Sequence, residues 1–169
     1  MYDSVISELK KEDCPNINFI KETPQYLNSI LNHGYNAGGE YIIGKLGNLI
    51  ISIRDNRVKI TQGSLCKYYL GNNFKTMTRE DTKEAITKIS DALHLPFHKA
   101  NVTRIDFGQN LIMKYDEGIY YPYLGEAQYY KRLEQNNGLY YINQKRQLVF
   151  YGKVYEQRIK DQPIPELYK

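Results

Sequence analysis

The sequence predicts an α+β fold, a mostly antiparallel sheet with helices packed on one face. Three observations carry that expectation. Between residues 41 and 61 apolar and polar side chains alternate, with Gly47-Asn48 and Asp55-Asn56 as turn signals, the pattern of an antiparallel meander. A helical stripe of Ala85, Ile86, Ile89, Ala92 and Leu93 follows. A second hairpin pattern then occupies residues 139–142 and 147–151. Hairpins and helices come in separate runs, not as repeating strand–helix–strand units, which argues against a parallel sheet.

Taken in order, Val5 and Leu9 share one face of either a short helix or a strand. Residues 17–31 read as a loop leading into a short helix, and residues 33–40 as turn chemistry. Strands are expected at 41–46, 49–54 and 57–61, with 65–70 adding another. Thr78 opens the helix, and Asp81 three residues on makes a shortened capping box. Pro96 ends it. A strand over 102–107 is expected to continue or bulge at Gly108 toward 111–113. The Tyr-rich stretch 118–133 holds a short helix around 127–133. Residues 1–160 form the main domain. Residues 161–169, broken by Pro163 and Pro165, read as a tail or as a linker to a further C-terminal part.

Composition narrows the function classes. The chain has 169 residues, 41% apolar and 25% charged, as soluble globular proteins do. No stretch approaches the ~20 apolar residues of a membrane span, and the start lacks the basic and apolar runs of a secretory signal. A cytoplasmic protein is the expectation. Cys14 and Cys66 are too few for a disulfide framework or a zinc site. There is no Walker A loop, no Gly-x-Ser-x-Gly elbow, no kinase signature set and no Cys-x-x-Cys pair. His94 and His98 have i, i+4 spacing, but Pro96 forbids the helix that would align them, and the His-hydrophobic-His spacing of His-paired nicking enzymes is missing.

Two biases remain. The chain has 17 Tyr and no Trp, and its charge is uneven. Residues 1–30 hold 3 Lys/Arg against 5 Asp/Glu, whereas residues 131–160 hold 7 against 2. A basic segment rich in tyrosine suits nucleic acid, because cations meet phosphates and rings offer stacking faces. Lys131, Arg132, Lys145, Arg146 and Arg158 are the expected phosphate contacts, with Tyr140 and Tyr141 as stacking rings. A solvated basic surface has the same composition.

On the strand 102–107, Arg104 and Asp106 point to one side and Ile105 and Phe107 to the other. They make either a surface ion pair or a carboxylate metal ligand beside a phosphate-binding cation. Further on, Lys153 and Glu156 meet at i, i+3 if Gly152 ends the strand and a helical turn follows. If the strand continues, Val149, Tyr151 and Lys153 share a face instead. Asp106 and Glu156 together suit Mg²⁺ or Mn²⁺, which take hard oxygen ligands. An ordinary salt bridge on a strand-to-helix junction accounts for Lys153 and Glu156 equally well.

Two runs point further. Thr103-Arg104-Ile105-Asp106-Phe107-Gly108-Gln109-Asn110 and Gln147-Leu148-Val149-Phe150-Tyr151-Gly152-Lys153-Val154-Tyr155-Glu156 resemble the filamentous-phage gene II/gene X family of phage and plasmid replication proteins. Met1-Tyr2-Asp3, the segment 63–71, Leu93-His94-Leu95-Pro96 and the segment 163–168 are similar too, so the likeness covers nearly the whole chain. It implies a rolling-circle replication initiator, distantly related to the plasmid Rep_trans initiators, that nicks one strand of an origin. A tyrosine attacks the phosphate, stays on the 5′ end and leaves a 3′-OH. By position Asp106 and Glu156 correspond to metal ligands for Mg²⁺ or Mn²⁺, Lys153 to the basic residue of the Tyr-x-Lys motif, and Arg104 to a phosphate or ion-pair partner. The implied partners are origin DNA, single-stranded or unwound, and host replication proteins, with no membrane. Family members commonly have Asp where this chain has Gly152, and they are generally longer. The attacking tyrosine is therefore left unassigned: it lies past Lys169 or among the tyrosines present, of which Tyr151 and Tyr155 are nearest the proposed metal ligand in sequence. The competing expectations are a non-catalytic single-strand binding module and a protein-interaction domain whose tyrosines fill a core and an interface.

Overall fold

Alternation of apolar and polar residues after residue 40 becomes the middle of an antiparallel sheet. The computed structural model describes residues 2–75, 77–161, 163, 164 and 166. The chain divides into two compact units, Met1–Gln109 and Asn110–Lys169.

In chain order the first unit holds β1 (Tyr2–Lys10), α1 (Phe19–Glu22), β2 (Ser29–Asn36), β3 (Gly39–Leu46), β4 (Leu49–Arg54), β5 (Arg57–Gln62), α2 (Leu65–Leu70), α3 (Arg79–Leu93) and β6 (Asn101–Phe107). The strands form one sheet in the order β2-β3-β4-β5-β1-β6, with every neighbour antiparallel. Register makes one face apolar. Ile53 lies opposite Ile42 and Val58, Ile51 opposite Ile60, and Val58 opposite Leu9. Phe19 of α1, Leu65 and Cys66 of α2, and Ala85, Ile89 and Leu93 of α3 join these residues in one buried cluster. All three helices therefore cover the same face, as the sequence predicts. Each fully buried aliphatic side chain contributes about 1.5–3 kcal/mol.

The longest helix, α3, starts where its cap was expected. Thr78 Oγ1 accepts from the Asp81 amide at 3.1 Å, and Asp81 Oδ2 accepts from the Thr78 amide at 2.8 Å. The Thr78 amide, and the Thr78 hydroxyl donating to the same Oδ2 at 2.9 Å, lower the Asp81 pKa. His94, at φ 52, closes the helix two residues before Pro96 and packs on the Tyr26 ring at 4.4 Å.

Several expectations need correction. Residues 65–70 are helical, not a strand, because Ser64 Oγ caps the Lys67 amide and Gly71, at φ 79, supplies the left-handed stop. Residues 29–36 are a strand, β2, paired with β3. No strand forms at 111–113, and 127–133 is not a helix. Val5 and Leu9 lie on a strand. Cys14 and Cys66 are buried thiols outside any disulfide, Cys66 donating toward the Asn72 carbonyl at 3.2 Å, and burial raises the Cys14 pKa.

The second unit holds α4 (Glu117–Tyr120), β7 (Lys131–Gln135), β8 (Gly138–Ile142), β9 (Gln147–Phe150) and α5 (Lys153–Ile159). Its sheet runs β7-β8-β9, antiparallel throughout. The core is small: Tyr121, Leu139 and Tyr141, backed by Leu124, Tyr130 and Phe150. The hydroxyls of its two buried tyrosines are satisfied by main chain. Tyr141 donates toward the carbonyls of Leu124 and Gly125 at 2.8 and 2.5 Å, and Tyr121 toward that of Phe150 at 3.2 Å. The expected tail, 161–169, lies largely outside the described residues. Among the described residues no helix is long and apolar enough to cross a membrane.

Candidate functional site

In the first unit the site residues sit on β6, an edge strand. Ser4, Ile6 and Glu8 of β1 point away from the core that Leu9 enters, and Asp106 and Arg104 lie opposite Ser4 and Ile6. The Arg–Asp pair therefore stands on the sheet face that the helices leave open. Arg104 Nε donates to Asp106 Oδ1 at 2.7 Å, and the two side chains are 64% and 38% exposed. Such a pair contributes little to stability, at most about 1 kcal/mol. Among the described residues Asp106 Oδ2 accepts no hydrogen bond.

In the second unit Gly152 ends the extended chain after β9 and α5 begins at once, so the helical alternative for Lys153 and Glu156 is the one found. Lys153 Nζ donates to Glu156 Oε2 at 2.8 Å, and Gln157 Nε2, on a buried side chain, reaches the same oxygen at 3.4 Å. Lys160 takes Oε1 from the next turn. Burial works against the Glu156 charge, but the hydrogen bonds and charges of Lys153 and Lys160 outweigh it and hold the carboxyl at about 2. Burial likewise disfavours the Lys153 charge. Its bond to Glu156 and the nearby Tyr151 prevail and raise its pKa. The Lys153 ammonium lies 5.7 Å from the Tyr151 ring centroid. Tyr151 and Tyr155, which flank Lys153, are both exposed.

A neighbour of Gly152 had no signal in the sequence. A Cβ built at position 152 would lie 2.5 Å from the carboxyl carbon of Glu117. A carboxylate from α4 thus fills the space that a side chain at 152 would need. Lys160 was also missed, although its i, i+4 spacing from Glu156 made it readable.

The expected DNA-contacting residues all fall in the second unit, in different settings. Lys131 and Tyr140 share the sheet face opposite Leu139 and Tyr141. Lys145 and Arg146 are exposed in the β8–β9 turn, where Asn143 Oδ1 accepts from both their amides. Arg158 is exposed on α5. Two members of the set are used by the fold itself. Tyr141 is only 4% exposed. The Arg132 guanidinium binds the carbonyls of Leu124 and Tyr121 and the Glu134 carboxylate.

Among the described residues no group of three or more His, Cys, Asp or Glu side chains gathers as a metal centre would. The family model for the N-terminal part of the phage gene II replication-associated protein matches residues 1–169. The chain belongs to that family. No curated protein and no solved structure matches it. The match bears out the filamentous-phage gene II resemblance carried by the runs around Asp106 and Glu156, and it makes the chain a phage replication-associated protein.

Proposed function

We propose that the chain is the DNA-nicking part of a rolling-circle replication initiator, acting on origin DNA that is single-stranded or unwound. The reading rests on family membership across the chain, and one geometric observation gives it chemistry: the half-buried Lys153–Glu156 pair beside exposed tyrosines. In the reaction a tyrosine Oη attacks phosphorus and loses its proton to solvent or a base. The bond from phosphorus to the 3′ oxygen breaks, that oxygen takes up a proton as the 3′-OH, and the 5′ phosphate stays on the tyrosine. Lys153, kept protonated by Glu156 and Tyr151, offsets charge on the phosphate oxygens. Tyr151 and Tyr155 are the described tyrosines placed nearest that ammonium along the chain.

A divalent cation, Mg²⁺ or Mn²⁺, supplies Lewis-acid polarisation of the phosphate when bound. Asp106 fits one directly through Oδ2. Glu156 fits one only when Lys160, 54% exposed, releases Oε1. Glu117 offers a carboxylate where the family commonly has Asp and this chain has Gly152. Arg104 holds Asp106 through Nε, and its exposed guanidinium is the phosphate or ion-pair partner of this reading. Host replication proteins are the further partners this role implies.

Thermal unfolding against added Mn²⁺ or Mg²⁺ tests the metal step, since a ligand that binds only the folded state raises apparent stability. The expected result is a rise in the wild type that Asp106→Ala removes. A wild type that melts at the same temperature with and without metal would sink it.

One observation favours a second reading. With both Glu156 oxygens held by lysines, the junction is complete without a metal, and the chain then serves as a non-catalytic single-strand binding module. In that case strand affinity depends on salt and on Lys131, Tyr140, Lys145, Arg146 and Arg158, and no covalent protein–DNA product forms.

A further inference from the structure

Two arginines on the open face of the first sheet are used by none of the chemistry above. Arg54, at the end of β4, and Arg57, at the start of β5, are direct partners across the hairpin and project to the same face. Like charges directly opposite on neighbouring strands are destabilising. The fold bears this cost at a turn where many polar residues would serve.

The surroundings hold the pair in place without neutralising it. Arg54 Nη1 donates to Asn36 Oδ1 and to the Gly38 carbonyl, each at 3.1 Å, and the guanidinium lies over the Tyr41 ring at 5.4 Å. All three neighbours are uncharged. Among the described residues Arg57 has one acid within reach, Glu8 at 3.6 Å, and Lys59 approaches the same carboxylate at 4.0 Å. Among the described residues Arg54 has no carboxylate partner at ion-pair distance.

Between the β2–β3 and β4–β5 turns lies an open cleft of about 500 Å³ lined by Asn36, Ala37, Gly38, Arg54, Asn56 and Arg57. No acid lines it; Asp55, the acid of the β4–β5 turn, is not among its walls. At Gly38 a Cβ would lie 2.8 Å from Arg54 Nη1, so the absence of a side chain there lets the guanidinium reach the turn. Two guanidinium forks, two side-chain amides and an approachable turn form a donor-rich hollow. Guanidinium forks match the geometry of phosphate oxygens.

We propose that this cleft is a phosphate subsite for the backbone of a single DNA strand, separate from the basic residues of the second unit. The inference rests on the DNA reading above and adds a contact surface to it. A polyanion is the occupant because the positive charge does not stop at the cleft. Lys59 and Lys45 stand on the same sheet face, where Glu8 and Asp106 are the only acids among residues 4–10 of β1 and the described residues of β3, β4, β5 and β6. A single strand is favoured because the Tyr41 ring beside Arg54 gives an aromatic surface next to the phosphate site, the combination by which single strands are held.

The test measures binding of a labelled oligodeoxythymidylate to the full chain by fluorescence anisotropy across a salt series. Arg54→Gln/Arg57→Gln is compared with the wild type and with Lys83→Gln/Lys88→Gln, which removes the same charge from α3. Losing two phosphate contacts should flatten the slope of log K against log salt by about 1.4 and weaken low-salt binding on the order of tenfold. The arginine variant loses the Arg54 bonds to Asn36 and Gly38 and the Arg57–Glu8 pair along with the repulsion, so binding is compared well below the melting temperature of each variant. An equal loss in the α3 variant would reduce the effect to net charge and overturn the subsite. Unchanged affinity and slope in the arginine variant would overturn it too, leaving the DNA reading intact. A wild type with no affinity for the strand would remove both.

Discussion

The two units of this chain hold themselves together by different means. In Met1–Gln109, Leu9, Ile51, Ile53 and Val58 are wholly buried against Phe19, Ile89 and Leu93, and the removal of apolar area from water is the main source of stability. In Asn110–Lys169 the core is three residues with three more behind them, two of the three being tyrosines whose hydroxyls bind main-chain carbonyls. Polar bonds and ion pairs do there what aliphatic burial does in the first unit. Hydrogen bonds and half-buried ion pairs respond to pH and salt, whereas apolar burial hardly does. The unit carrying the Lys153–Glu156 pair is therefore also the one whose stability is expected to track solution conditions.

The largest expected effect is on the apolar side of that contrast. Ile53→Ala should cost about 2–5 kcal/mol and expose the amides of β3, β4 and β5 to hydrogen exchange. Leu139→Ala should instead expose those of β7, β8 and β9. If either substitution opened both groups of amides together, the units would be one cooperative block and the contrast would fail. Next comes Gly63→Ala. Gly63 has φ 113, and a Cβ there would lie 2.5 Å from the Asn48 carbonyl oxygen and 2.9 Å from Leu49 Cα. A strained backbone position of this kind costs about 1–3 kcal/mol. Gly152→Ala meets only the far end of Glu117, which can swing aside, so denaturant melts should show a much smaller loss.

A third effect belongs to acid. Glu156 titrates at about 2 when folded, below the ordinary 4.5, so its stabilisation is present above about pH 4.5 and is lost as pH falls toward 2. Lys153, raised above 10.5, adds stability that is lost as pH climbs past its folded value. Melts of the second unit should therefore weaken at both extremes, and Glu156→Gln should flatten the acid arm. An unchanged acid arm in that variant would place the sensitivity elsewhere. The smallest effect is at Arg104→Gln, where an exposed pair is lost. Stability should move by about 0–1 kcal/mol, so any sizeable loss in an assay of the proposed DNA nicking would report function and not folding.

Much of the fold was legible in the sequence. The meander from β3 to β5, the Thr78–Asp81 cap and the hairpin of β8 and β9 follow from period and turn chemistry alone. β2 was not legible, because Ser29-Ile30-Leu31-Asn32-His33-Gly34-Tyr35-Asn36 is mostly exposed and becomes a strand only by pairing with β3. Likewise β7 reads as helix until β8 is beside it. The run 65–70 misled through its aromatic content, although Ser64 and Gly71 at its ends were readable caps. Of the site, the Lys153–Glu156 contact came from spacing. The burial of Tyr141, the approach of Glu117 to Gly152 and the Arg54–Arg57 pairing depend on contacts between elements, which no local pattern encodes.

Chain order also sets an order in time. β1 lies between β5 and β6, so a strand made early is bonded on both sides by strands made later. Its second partner ends at Phe107, and synthesis from Lys10 to that point takes about 5–20 s at ~5–20 residues per second. Through that interval the hairpins of β2 to β5 can close locally while β1 waits. The gap it finally fills joins the edge bearing Arg104 and Asp106 to the rest of the sheet, so that edge is among the last parts of the first unit to be built.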